Sequence, residues 1–151
     1  MANEQGNAAV KAWLLRGLHA HRRVKALEQH LAEQKTRLKL LKGANPTGMP
    51  RTGRWRDWTL AVDAVVDEES ETAREIQALY AIQREVREAI AGVEPDTCRE
   101  VLEYRYLYYM AWPKIAAMMD YDERYLHKLH NQGLEKLRII RGAEKNSETG
   151  H

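Results

Sequence analysis

The chain has a single cysteine, Cys98, so no disulfide can form within it, and a reducing cytoplasm is the expected setting. It has no run of 18 or more apolar residues, so no membrane-spanning helix is expected. Met1 to Asn7 are polar and hold no apolar signal core, so secretion is not expected either. Catalytic signatures are missing. There is no phosphate-cradling glycine loop, no Gly-x-Ser-x-Gly turn, no cysteine–histidine metal pattern and no pair of acids in an apolar context. No enzymatic activity, cofactor or metal is expected on these grounds. A broad excess of one charge is also lacking, since 24 Lys and Arg stand against 22 Asp and Glu.

The charge that is present is unevenly placed. Residues 1–57 hold 12 Lys/Arg and 4 Asp/Glu, a net +8; residues 58–98 hold 3 and 10, a net −7; residues 99–151 hold 9 and 8, a net +1. A basic first third and an acidic middle can lie against each other. Apolar residues are 44% and charged residues 30%, a combination that long, partly exposed helices accommodate.

Two heptad patterns support such helices. Positions Val10, Trp13, Gly17, Ala20, Val24, Leu27, Leu31, Gln34, Leu38 and Leu41 step alternately by 3 and 4, and all but Gly17 and Gln34 are apolar. Val62, Val65, Glu69, Thr72, Ile76, Leu79, Gln83, Val86, Ile90 and Val93 repeat the pattern. Each stripe covers about 32 residues, or roughly 48 Å of helix. Between them, residues 43–57 carry three Gly and two Pro, which break a helix. Equal lengths, opposite charges and one connecting loop predict helices over about 10–42 and 58–92, packed as an antiparallel coiled-coil hairpin; pairing with a second copy, giving a homodimer, is the alternative. Arg51, Arg54 and Arg56 with Trp55 and Trp58 make a basic-aromatic cluster in the loop, a candidate contact for nucleic acid or polymerase.

Residues 94–141 read differently. Pro95 suits a first helical position and Asp96 the positive end of the helix dipole, while Thr97 and Glu100 have capping-box spacing. Cys98, Val101, Leu102, Tyr106 and Tyr109 follow at helical spacing, which marks Cys98 as a small buried group. Pro113 suits a second helix start with Trp112 at its cap, and Ile115, Ala116 and Met119 give that short helix an apolar face. Asp120-Tyr121 interrupts it, and Asp122 is placed to cap a third helix. In the third helix Leu126, Leu129 or His130, Gly133, Leu134 and Leu137 face inward. Glu123, Arg124, Tyr125, His127, Lys128 and Asn131 face outward near its start. A short helix, a tight turn and a helix with polar residues near its start form a helix-turn-helix that can enter a DNA major groove.

Arg99 to Leu107, Trp112 to Ala116, Tyr121 to Leu126 and Leu134 to Arg138 resemble region 4 of bacterial sigma factors over about 45 residues. More loosely, with Met49-Pro50-Arg51 and the flanking long helices, the chain resembles small phage regulators of the RinA and ArpU-like type. It departs from the sigma pattern in having Asp120 where many turns have Gly, in lacking a Ser or Thr cap near Ala111, and in having no counterpart of sigma region 2. The resemblance implies a sequence-specific transcriptional regulator that binds double-stranded DNA and acts with RNA polymerase. Arg124 is then suited to a bidentate guanine contact, Lys128 to guanine or phosphate, Asn131 to adenine or backbone, and Glu123 to cytosine or to excluding wrong sites, with Tyr125 and His127 beside them and Trp112 and Lys114 on phosphates. A phage small terminase subunit that binds packaging DNA, and an anti-sigma decoy with no DNA contact, are the competing readings. The expected organisation is a helical hairpin over 1–93, a helix-turn-helix domain over 94–141 and a disordered tail over 142–151. His127 and His130, three apart, have the spacing of a metal pair but no third ligand nearby, and are read as structural or DNA-facing.

Overall fold

Five α-helices make up the described chain, with no strand among the described residues, as the all-α expectation required. The structure is a computed structural model that describes the backbone of residues 2–45 and 53–148 and the side chains of residues 5–45 and 53–142. The helices are α1 (Ala2–Gly43), α2 (Gly53–Ala91), α3 (Asp96–Tyr106), α4 (Trp112–Met119) and α5 (Glu123–Glu148). None is long and apolar enough to cross a membrane.

Burial along α1 and α2 follows the heptads. Val10, Gly17, Ala20, Val24, Leu27 and Gln34 are buried and the other four positions of the first stripe half-buried. On the second stripe Val65, Thr72, Ile76, Val86, Ile90 and Val93 are buried and the rest half-buried. The stripe positions recur every 3.5 residues on average, so each long helix turns one side inward; Leu14, off the stripe, is buried as well.

Element limits differ from expectation in several places, and α3 ends at Tyr106, so Tyr109 lies beyond the helix whose spacing it is expected to continue. α2 starts at Gly53, so residues 53–57 are helical rather than loop. The breakers Pro46, Gly48 and Pro50 all precede that point, and the Trp55 and Trp58 rings, one turn apart, pack with centroids 5.4 Å apart at a tilt of 38°. The rest of the expected loop, residues 46–52 with Arg51, lies outside the described residues. α1 begins at Ala2, well ahead of Val10. Pro95 is the N-cap of α3 rather than its first residue, and no side chain caps that end, so the Thr97–Glu100 box does not form. Arg99 instead binds Asp96 at 3.0 Å and Glu103 at 3.4 Å. α5 runs on to Glu148 through most of the expected disordered tail, whose residues 142–148 include helix-favouring Ala, Glu and Lys and no proline. Residues 149–151 of that tail lie outside the described residues.

The chain divides into two compact units, residues 21–81, and residues 1–20 together with 82–151. In the first unit, Val24, Leu27 and Ile76 form the core, with Leu31 and Leu79 packed on it. Arg23 meets Glu75 at 3.3 Å, Arg37 meets Glu68 at 3.7 Å, and the Trp58 indole N–H donates to the Leu41 carbonyl at 2.6 Å. Numbers that rise along α1 meet numbers that fall along α2, so the two helices run in opposite directions there. The Trp58 bond adds a second donor to a carbonyl in the last turn of α1 that also accepts the Ala44 N–H at 3.2 Å.

The second unit is larger than the expected 94–141. Its core joins Val10 and Leu14 of α1 and Val86, Ile90 and Val93, at the end of α2 and just beyond it, to Cys98, Val101, Leu102 and Tyr106 of α3, Ile115 of α4, and Leu126, Leu134 and Leu137 of α5. Helices of 11 and 8 residues cannot bury enough apolar area between themselves, and the ends of the long helices supply the missing surface.

Candidate nucleic-acid interface

The α4–α5 corner is set by two aspartates. α4 ends at Asp120, whose backbone is left-handed (φ 56°, ψ 45°) and whose N–H bonds the Ala116 carbonyl; the Tyr121 N–H reaches the same carbonyl at 3.1 Å. Aspartate tolerates this region better than most residues, which lets the turn form without glycine. Two residues on, the Asp122 carboxylate accepts the Tyr125 backbone N–H at 2.7 Å and caps α5, as the sequence predicts.

At the other end of α4 the helix starts one residue earlier than expected. Ala111, not Trp112, is the extended cap residue, Trp112 is the first helical residue and Pro113 the second. The preference of a pre-proline residue for extended backbone is overridden by packing. The Trp112 ring lies 4.5 Å from His127 and 4.8 Å edge-on from His130, with the Arg105 guanidinium 5.0 Å over its face. Arg105 is itself held by donating to the Met110 carbonyl at 2.9 Å.

α3 and α5 approach closely through Gly133. A β-carbon there would stand 3.0 Å from the Leu102 side chain and 3.4 Å from the Cys98 carbonyl, so any larger residue needs Leu102 to give way by a few tenths of an ångström. Behind the corner, the Tyr106 hydroxyl and His130 Nε2 are 2.7 Å apart, both side chains buried. Burial pushes the phenol up to about 12, so it stays protonated and donates. Burial, with Lys11, His127 and Arg105 adding to it, pulls His130 down to about 4, so its imidazole is neutral and accepts. His130 is thus a structural residue. No group of three His, Cys, Asp or Glu side chains suited to a metal ion occurs among the described residues.

The inward positions all fall as expected: Leu126, Leu129, His130, Gly133, Leu134 and Leu137 are buried. Of the eight candidate contact residues, Glu123, Arg124, Tyr125, His127, Lys128 and Asn131 are exposed on the first turns of α5, and Lys114 is exposed on the first turn of α4. Trp112 differs, being half-buried and committed to the two histidines, so it supports the surface rather than projecting from it. Tyr125 packs edge-on against Tyr121 at 4.9 Å, leaving one side of its ring exposed. Arg124, His127, Lys128 and Asn131 line one concave surface, continued by Gln132 and Lys136.

No family model, curated protein or solved structure matches this chain.

Residues from the start of α1, Asn7 and Lys11 among them, also border this surface. Asn7 lines the concavity beside Arg124, Lys128 and Asn131, and Asn7 with Lys11 lines the adjoining one beside Trp112, His127 and Asn131. Sequence reading leaves Asn7 ahead of the expected first helix and Lys11 at its start, and nothing local ties residues 7–11 to residues 124–131. In the basic-aromatic cluster near the start of α2, Arg54, Trp55 and Arg56 are exposed, while Trp58 is occupied with Leu41.

Proposed function

We propose that the chain is a sequence-specific DNA-binding protein that reads a major groove with the N-terminal turns of α5. The observation that carries this reading is the left-handed α4–α5 corner, from which Arg124, His127, Lys128 and Asn131 project together into one concave, exposed surface. A short helix, a tight turn and a reading helix with its base-contacting side chains near the start form the helix-turn-helix docking arrangement. Arg124 is suited to a bidentate contact with guanine, and Lys128, four residues on and on the same face, to guanine or phosphate. Asn131 suits adenine and Glu123 cytosine. Lys114, in the first turn of α4, suits a positioning phosphate.

The finer architecture belongs to the same proposal: a sigma region 4-like domain joined to an antiparallel coiled-coil hairpin, the organisation of a phage-type transcriptional regulator. The heptad burial of α1 and α2 and the Arg23–Glu75 and Arg37–Glu68 pairs support the hairpin. Residues 99–151 carry a net charge of only +1, so one copy binds DNA modestly, and a second copy or RNA polymerase adds the remaining affinity.

The test is selection of genomic fragments by the purified full chain, followed by titrations of the best fragment over a salt series. Arg124→Ala is expected to cost about 1–3 kcal/mol and to relax preference at one or two base pairs. Lys114→Ala is expected to weaken all fragments evenly and lower the salt slope by about one. If Arg124→Ala changes neither affinity nor preference, α5 is not a reading helix and a protein-interaction role replaces this one.

A further inference from the structure

The start of α1 is held in the same core as α5. Val10 and Leu14 are buried there with Leu126, Leu134 and Leu137, which fixes the turns that carry Asn7 and Lys11. These two residues are four apart and share one helix face. That face borders the concave surface of α5, beside Trp112, His127 and Asn131. Lys11 is exposed and has no ion pair among the described residues. The Asn7 side-chain oxygen is buried and meets no donor among the described residues. Lys11 also acts on the interior of the domain, since after burial it is the largest influence keeping His130 neutral.

We propose that the first three turns of α1 form a second DNA anchor, with Lys11 on a backbone phosphate and the Asn7 amide bonding beside it, so that the contact surface spans two segments more than 100 residues apart in the chain. This rests on the reading of α5 as the DNA-contacting helix. DNA docked on Arg124 and Lys128 extends well beyond one helix face, and its phosphates carry one charge per about 1.7 Å of duplex axis. A lysine bordering the reading surface, on an element fixed by the same core, neutralises such a phosphate without a further ordering step. Lys11 makes no base contact in this arrangement, so it sets affinity and not sequence preference.

The experiment is fluorescence anisotropy of the full chain on a selected genomic fragment and an unrelated fragment, from low to moderate salt. Lys11→Gln is expected to weaken both fragments several-fold and to lower the salt slope by about one. Lys11→Arg is expected to restore both quantities. Asn7→Asp, nearly isosteric, sets a carboxylate at the anchor and is expected to weaken both fragments too. Lys25→Gln removes the same charge from an exposed site elsewhere on α1 and is expected to change neither quantity. Thermal melts of each variant matched to the parent keep folding out of the comparison. If Lys11→Gln leaves affinity and slope unchanged while Arg124→Ala weakens binding, or if Lys25→Gln acts equally, the α1 anchor is overturned and the α5 reading stands. If neither Lys11→Gln nor Arg124→Ala alters binding, or the parent chain binds no DNA, both fall.

Discussion

Single residues in the unit that holds α3, α4 and α5 divide between holding the surface and forming it. His130 holds it. Its neutral ring accepts from Tyr106 on one side and meets Trp112 on the other. Trp112 in turn backs His127, which is exposed. The cost of this arrangement appears in acid. An unfolded histidine titrates near 6.5, whereas His130 in the folded chain titrates near 4. Between those values the unfolded chain binds a proton that the folded chain does not. His130 therefore costs the fold nothing above about pH 6.5, and its stability is lost as pH falls toward 4, by at most about 3 kcal/mol. Urea unfolding at pH 7 and at pH 4.5 measures this loss, and His130→Gln is expected to flatten that part of the pH dependence. An equal loss in the variant would mean that His130 does not titrate as its burial requires.

At the scale of elements, the long helices carry a buried polar position. Gln34 is 2% exposed; its amide nitrogen lies 3.2 Å from His30 Nε2, and its oxygen meets no partner. Thr72, also buried, does not help, because its hydroxyl donates to the Glu68 carbonyl of its own helix. An unsatisfied buried acceptor costs about 1–3 kcal/mol. Gln34→Leu is therefore expected to stabilise the full chain by about 1 kcal/mol or more in urea melts, and a lower midpoint would show that the amide is better satisfied than this. A polar residue at one heptad position also penalises shifted pairings, in which it would face an apolar layer. The same substitution is thus expected to permit additional alignments of α1 and α2, detectable as several distances between spin labels at positions 23 and 75, which the parent chain holds in a single arrangement. The exposed Arg23–Glu75 and Arg37–Glu68 pairs add little to stability, of the order of a few tenths of a kcal/mol each.

For the whole molecule, the consequence is where the domain limits fall. A fragment of residues 94–141 omits Val10, Leu14, Val86, Ile90 and Val93, five buried members of the core that contains Leu126 and Leu137. Each exposes apolar area when lost, at about 25 cal/mol per Å². Such a fragment is expected to lack a cooperative thermal transition, while residues 1–148 show one. Circular dichroism melts decide it, and a cooperative transition in the short fragment would show that the ends of α1 and α2 are dispensable.

What could be read without the structure follows from periodicity and local chemistry. The 3.5-residue repeat located the inward side of α1 and α2, down to Gln34, because a helix buries whatever repeats on one side of it, but it missed Leu14, which lies off the stripe and is fully buried. The inward set from Leu126 to Leu137 and the exposed set from Glu123 to Asn131 followed from the 3.6-residue period, and the Asp122 cap and Asp120 turn from the chemistry of aspartate. Local rules failed where a distant contact outweighed them: Trp112 entered the helix and packs against His127 and edge-on against His130, and Trp58 found the Leu41 carbonyl from within a helix that starts earlier than its glycines suggested. Only the tertiary structure decided that Asn7 and Lys11 border the same surface as His127 and Asn131. Neither segment carries a trace of the other, because the apolar area that α3, α4 and α5 cannot bury among themselves is what brings the start of α1 to them.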